Sequence, residues 1–412
     1  MITVRSGSPD EWDGRHRDEP RVRVTVGDGR PERIPINAPS IGPDELAAVQ
    51  QVLSSGWIGT GPECDRFERE LADHLGGVEV VCTSSCTASI EIAVDHLGLA
   101  PESRVGVPAW THPATALPAA LSGATVVLLD VDPHTLQLSD ESLAEAIDEG
   151  LDLLIPVHFA GRPLDRSILD RARSAGVPIV EDAAHAFGAS DADGPVAGRG
   201  SVAAAFSFHA TKNLTTGEGG ALATTDPELA AFARTHRHHG LDEDAWSRQR
   251  SGRWSAGDIL RPGRKSNLPD TLAAIGRVQL RSFASRQEHR RDLINRYRRH
   301  LASMDGASLV PASPGQGDAD HLAVVVLDPG VDREQVVEHL ESAGIATGLH
   351  YTPLHQLTWF REHAVIGPSG LSVCDDLAGR ALTLPLHARL RRADVDDVCG
   401  QLAMAIDAGA TT

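Results

Sequence analysis

Ser207–Phe208–His209–Ala210–Thr211–Lys212–Asn213, closed by Glu218–Gly219–Gly220, places one lysine in a loop between the apolar runs Ala203 to Phe208 and Ala221 to Ala223. Lysine seldom sits between two buried segments unless its charge is managed. A solvated surface lysine reaches water along its flexible stem. A carbonyl-trapping amine uses the same stem, with a shiftable pKa, for Schiff-base chemistry. The segment alone fits both readings, and what lies at the neighbouring strand ends separates them.

Outward from this loop, short β-branched or small-residue runs alternate with helical segments: Val78 to Val81, Arg104 to Val107, Thr125 to Val131, Leu153 to Val157, Pro178 to Glu181 and Ala203 to Phe208. That rhythm predicts a largely parallel sheet covered on both faces. In such sheets ligands collect at the carboxyl ends of the strands. Three features fall there. Ser84–Ser85–Cys86–Thr87–Ala88 opens a helix, where hydroxyls and free N–H groups suit a phosphate or simply cap the helix. Glu181–Asp182 ends a strand, and a half-buried carboxylate stays ionised only beside a cation such as a protonated pyridine nitrogen. Lys212 follows thirty residues later, with the Ser207 hydroxyl five residues before it. An amine, a ring acid and two phosphate sites at adjacent strand ends make one pyridoxal 5'-phosphate (PLP) pocket.

The rest of the composition narrows the setting. A formal net charge of −19 over 412 residues argues against general affinity for nucleic acid or anionic membrane. Cys64, Cys82, Cys86, Cys374 and Cys399 form no CxxC pair and fit no zinc spacing, so no metal site is expected and a reducing cytoplasm is the simplest location. No apolar run approaches the roughly 18 residues of a membrane span. The start, MITVRSGSPDEWDGRHRDEP, is charged where a signal peptide is apolar.

The organisation reads as an α/β fold with a mainly parallel central sheet and a smaller C-terminal α+β domain. Residues 1–33, rich in Arg, Asp, Glu, Gly and Pro, read as a mobile extension; 34–250 form the large domain; 251–412 form a linker and the small domain. Helical spacing of Leu46, Val49, Val52 and Leu53 predicts a helix from Pro43 to Leu53, with Asp44 and Glu45 favouring its first turn and Gly56 closing it. Helices are also expected from Leu268 to Glu288, Arg290 to Leu301, Arg333 to Ala343 and Arg392 to Ala405, with a strand from Leu322 to Leu327.

These residues resemble the DegT/StrS family of PLP-dependent sugar aminotransferases, of fold type I. The match runs from about Ile34 to the last helix and includes SGWIGTGP at 55–62, SSCTA at 84–88, GATVVLLDVD at 123–132, PVHFAG at 156–161, EDAAHAFGA at 181–189, SFHATKN at 207–213 and TGLHY at 347–351. The resemblance implies that Lys212 forms the Schiff base and moves a proton between donor and cofactor, and that Asp182 holds the ring nitrogen. It places Thr87, Ala88 and Ser207 at the phosphate and His185 near the ring's phenolic side. His112, in PAWTHPAT, stands where relatives carry the aromatic that stacks on the ring. Sugar dehydratases of the family put His at the lysine position, so Lys212 favours amination.

The family is dimeric with shared sites, so the resemblance brings Lys265 or Asn267 to the neighbouring subunit's cofactor. It makes Thr60, His158, Lys265, His350 and Tyr351 substrate contacts. Segments 238–246 and 263–268 are similar to those of enzymes that aminate the 4-keto group of a nucleotide-linked sugar, with glutamate or glutamine as donor. Arg261, Arg264 and Lys265 then either grip a sugar-nucleotide diphosphate or form a solvated loop. Two other expectations stay open. One is a cyclitol (inosose) aminotransferase or a 3-amino-5-hydroxybenzoate synthase-like enzyme. The other is a non-catalytic PLP or sugar-binding regulator, against which the intact Lys212 and Asp182 argue. High Arg, Ala, Gly and Asp usage associates the chain with GC-rich bacteria, where such enzymes serve antibiotic or polysaccharide pathways.

Overall fold

Every strand expected from the β-branched rhythm is present in a computed structural model of the chain, which describes residues 33–243, 245–252, 257–311 and 317–409. The extension expected at 1–33 lies, apart from Arg33, outside the described residues. In chain order come β1 (Glu79–Thr83), β2 (Arg104–Pro108), β3 (Thr125–Leu129), β4 (Leu153–Leu154) and β5 (Val180–Asp182). A small hairpin follows, β6 (Ser190–Asp191) with β7 (Gly194–Pro195), then β8 (Ala203–Ser207) and β9 (Gly220–Thr224). The C-terminal part adds β10 (Ala307–Val310), β11 (Ala323–Leu327), β12 (Val365–Ile366) and β13 (Ala381–Leu384).

The large sheet runs β1-β9-β8-β5 on one side and β4-β2-β3-β12 on the other. Single parallel bridges, Leu154 to Ile179 and Val157 to Asp182, join the halves. Pairing is parallel except at β9, which runs antiparallel to both β1 and β8. The cause is local. The loop between β8 and β9 contains no crossover helix, so the chain turns straight back, and a parallel return needs a long connection. Ser207 therefore faces Gly220 across the ladder, with Lys212 in the turn between. Strands β8 and β9 are buried along their whole length, and helices cover the sheet.

A second antiparallel sheet, β10-β11-β13, packs on helices Phe283–Leu301, Arg333–Ser342 and Arg392–Gly409 around Leu293, Tyr297, Val325, Leu340 and Leu402. The two parts are laced together. β12 returns from the C-terminal part to pair with β3, and Ile34 bridges to Ile345.

One helix boundary departs from expectation. The break anticipated near Glu288 falls at Ser282, between Asp270–Arg281 and Phe283–Leu301. There the Ser282 hydroxyl bonds back to the carbonyls of Val278 and Gln279, and Phe283 turns in against Phe187 with ring centroids 5.0 Å apart. Tertiary packing of one aromatic outweighs a continuous helical pattern. In the helix Pro43–Ser55, Val52 is buried but Leu46 and Leu53 are 67% and 57% exposed. Glu45 takes the inward place because its carboxylate accepts from the Gln279 side chain and from the Gly42 N–H.

Candidate active site

At the carboxyl ends of β5 and β8 a cavity of about 370 Å³ opens, lined among others by Cys86, Thr87, His112, Asp182, His185, Ser207, Lys212, His350 and Tyr351. A larger cleft of about 420 Å³, bordered by Asp132, Arg162 and Arg166, contains none of these groups.

Lys212 is held by its turn. The Lys212 N–H donates to the His209 carbonyl (3.0 Å), Phe208 N–H to Gly219, and Thr216 N–H to Phe208. From outside the turn, Asn37 Nδ2 donates to the Thr211 carbonyl (2.8 Å). The Glu218–Gly219–Gly220 closure is required sterically, since a Cβ on Gly220 would stand 2.4–2.6 Å from the Ser85–Cys86 backbone. Half-buried at the cavity wall, Lys212 has its pKa pushed down to about 8 by desolvation, against the opposing pull of Asp182 and Cys86.

Asp182 is buried. Its Oδ2 accepts from the Thr115 hydroxyl (2.7 Å) and its Oδ1 from the Ala184 N–H (3.0 Å). Thr115 in turn pairs with Thr111 at 2.8 Å. The Cys86 thiol lies 3.8 Å from Asp182 Oδ1 and donates to the Ala205 carbonyl at 3.2 Å, and burial pushes its pKa up.

Imidazoles form much of the remaining wall. His185 Nε2 pairs with the Tyr351 hydroxyl (2.9 Å), while its buried Nδ1 has no partner among the described residues. His350 pairs through Nδ1 with Thr383 (3.0 Å). His112 Nδ1 accepts from the Ala114 N–H (3.1 Å), which puts the proton of its neutral ring on Nε2, and the ring meets Tyr351 edge-on at 5.6 Å. Burial lowers the pKa of all three, His350 to about 4, and the nearby Lys212 charge adds to it.

The helix Cys86–Leu97 starts at the cavity. Ser85 is its N-cap, accepting from the Ala88 N–H (3.1 Å), so that N–H is committed and Ala88 itself is buried off the lining. The Thr87 side chain and the Ser207 hydroxyl remain at the cavity.

Other expected residues stand elsewhere. His158 is 2% exposed, with Nε2 on Glu181 (3.0 Å) and Nδ1 accepting from Leu164 N–H, so both nitrogens are used away from the cavity. Asn267 Nδ2 donates to Thr60 Oγ1, which donates to the Leu268 carbonyl; neither residue lines the cavity within one chain. Lys265 lies 3.4 Å from His238 Nδ1. Of the basic cluster, Arg264 is engaged by Asp95 and Glu91, and Arg261 lies over the Phe232 ring. The ligand atoms of Cys64, Glu68 and Cys82 come within 4.8 Å of one another, but the Arg237 guanidinium already sits on Glu68 in the cation's place.

The sequence reading missed Thr115 and Thr111, although both flank His112 just past β2, a signal equal to the one that marked Ser85. It also missed His321 and Asn37, which approach the lysine turn from distant segments.

The sequence pattern of the DegT/DnrJ/EryC1/StrS aminotransferase family matches residues 39–403. Among solved structures, the aminotransferase TlmJ from Streptoalloteichus hindustanus is 33% identical with a TM-score of 0.83, the match covering 92% of this chain and 100% of that one. Spr1654 from Streptococcus pneumoniae, in its PLP form, is 28% identical with a TM-score of 0.83, over 92% and 99% of the two chains. The sugar aminotransferase CalS13 from Micromonospora echinospora is 25% identical with a TM-score of 0.80, over 90% and 99%.

Proposed function

This chain belongs to the DegT/DnrJ/EryC1/StrS aminotransferase family, of fold type I, and on that premise we propose that it transfers an amino group from glutamate or glutamine to a nucleotide-linked keto-sugar. The observation that carries the reading is the convergence of a neutralisable amine, Lys212, and a buried, hydroxyl-supported carboxylate, Asp182, on one cavity. The chain is an enzyme whose cofactor is PLP, as in the PLP form of Spr1654.

The residues fit that cofactor. A cavity of about 370 Å³ is within the roughly 300–1,000 Å³ of small-molecule sites. Asp182 would hold the ring nitrogen, Ser207 and Thr87 the phosphate, and the unpartnered His185 Nδ1 supplies a polar atom on the cavity wall. PLP, when bound, supplies a carbonyl for the amine and an electron sink that lets a proton leave the carbon bearing the donor's amino group.

The protein's own part is proton handling and orientation. With a pKa near 8, about a tenth of Lys212 is free base at pH 7, against well under a thousandth for an ordinary lysine. Its Nζ takes up a proton and returns it. Thr115 and the Ala184 N–H fix the Asp182 carboxylate, so it would meet a protonated ring nitrogen without reorganising. The imidazoles of His112, His185 and His350 stay neutral near pH 7, which spares Lys212 from like-charge repulsion and leaves polar edges toward the sugar. Tyr351, hydrogen-bonded to His185, adds a phenol and an apolar face.

The working form is a homodimer. Ile41, Leu46, Leu53 and Ile58 are exposed together around the helix Pro43–Ser55, and a second copy would cover that apolar face. Lys265, Asn267 and Thr60, off the cavity in one chain, would then serve the partner's site. No helix among the described residues is long and apolar enough to cross a membrane.

The test is product analysis by mass spectrometry. Holoenzyme with glutamate or glutamine is offered 3-keto and 4-keto nucleotide sugars and inosose. An amino-sugar nucleotide supports the proposal. Turnover of inosose alone would transfer the assignment to a cyclitol aminotransferase.

A further inference from the structure

Behind Lys212 lies a buried polar strut that the proposed reaction does not use directly. Asn213, next to the amine, donates from Nδ2 to the Ala319 carbonyl (2.7 Å) and to Gln287 Oε1 (3.3 Å). Gln287 Nε2 also donates to Ala319 O (2.6 Å), which fixes the orientation of both amides. Asn213 Oδ1 is therefore an acceptor, and its partner at 2.9 Å is His321 Nδ1, which must carry the proton. His321 is 4% exposed, and its main chain is clamped on both sides. Its N–H donates to the Ala160 carbonyl (2.8 Å), and its carbonyl accepts from Arg290 Nη1 (3.2 Å). Arg290 is itself buried, and that guanidinium nitrogen also donates to the Leu386 carbonyl (2.9 Å). The His321 ring lies 4.6 Å from that of His185.

The strut thus runs from the helix Phe283–Leu301 through His321 and Asn213 into the turn that carries the amine. We propose that His321 is a positioning residue for Lys212, gripping Asn213 through Nδ1–H and pinning the 212–213 turn so that the amine stays at the cavity wall. The His321 ring stays neutral, since burial, followed by the Lys212 and Arg290 charges, drives its pKa well down. Its single proton is held on Nδ1 by the Asn213 acceptor, and the neutral ring adds no positive charge near Lys212. Without the grip the turn relaxes toward water, and Lys212 loses the desolvation that depresses its pKa. Burial lowers that pKa while Asp182 and Cys86 raise it, and the nearby imidazoles of His112, His185, His321 and His350, their own pKa values lowered, add no opposing charge.

The proposal deepens the reading of Lys212 as the reacting amine, but its test needs no turnover. Protein freed of cofactor is exposed to an amine-reactive acylating reagent across pH 6 to 11, and Lys212 labelling is followed by mass spectrometry. The wild-type midpoint is expected near 8. His321→Phe should move it up by about one unit or more. His321→Asn, which keeps a donor near the Nδ1 position, should restore it to within about half a unit. Asn213→Ala cuts the same bond from the other side and should reproduce the shift, covering the case in which His321→Phe does not fold. A folded His321→Phe or Asn213→Ala protein with the wild-type midpoint would overturn the strut. So would an equal shift in His321→Asn. If the strut holds while the holoenzyme fails to transaminate, only the functional reading is lost.

Discussion

Replacing Thr115 by valine removes one donor from the buried Asp182 carboxylate and leaves everything else nearly isosteric. The lost bond is short, 2.7 Å, and charge-assisted, while the Ala184 N–H at 3.0 Å remains. Hydrogen bonds to charged groups contribute about 1.5–3 kcal/mol. At about 1.4 kcal/mol per factor of ten, PLP retention should weaken roughly 10- to 150-fold if the carboxylate grips the ring nitrogen. Thr111 also loses its 2.8 Å hydroxyl partner, so a modest loss of stability accompanies the change. The assay is spectrophotometric titration of PLP into cofactor-free Thr115→Val and Thr115→Ser proteins, alongside urea unfolding. Thr115→Ser, which keeps the hydroxyl, should stay within a few-fold of wild type. Unchanged PLP affinity in a folded Thr115→Val protein would refute the role given to Asp182 and its supporting hydroxyl.

Three further expectations follow from the same structure. Asp270 accepts from the N–H groups of Gly61 (2.7 Å), Cys64 (3.0 Å) and Glu63 (3.1 Å) at the start of the helix Pro62–His74, so Asp270→Ala should cost about 3 kcal/mol or more, read as a fall in urea midpoint, with Asp270→Asn milder. On the acid side, His185, His321, His350 and His387 have folded-state pKa values below their unfolded ones, the last two near 4. The unfolded chain then binds more protons, so their contribution to stability is lost as pH falls below about 6.5; unfolding at pH 7 and pH 5 should show a steep drop, flattened in His350→Gln. Lys212 acts in the alkaline window. Its lowered pKa means that cofactor-free protein gains stability as pH rises from about 8 toward 10.5, and Lys212→Met should abolish that gain.

The strand–helix rhythm made the large sheet legible, because fully buried parallel strands carry their signal in every residue. It said nothing of β12, two exposed residues that pair with β3 only because the C-terminal part folds back. The core of the site was legible for the same reason: Asp182, Ser207 and Thr87 sit at strand ends or helix starts, where ligand groups accumulate. His158 shared that position but points its nitrogens to Glu181 and Leu164 N–H, and strand-end placement cannot tell which face a side chain takes. His321 and Asn37 reach the lysine turn from more than a hundred residues away, so no local pattern announces them. Leu46 and Leu53 lie on the expected helix, yet the described residues leave both exposed, and helical spacing alone does not say which face is covered.

As the amine of a PLP site that accepts an amino group, Lys212 must be needed before any keto substrate arrives. Its most direct test is a single-turnover measurement with no keto substrate present, in which holoenzyme is mixed with glutamate, and separately with glutamine. Wild type should form close to one equivalent of keto acid per site, with loss of the cofactor's visible band, and Lys212→Ala should show neither. A visible band in wild type that neither amino acid alters, or keto acid formed equally by Lys212→Ala, would contradict that role.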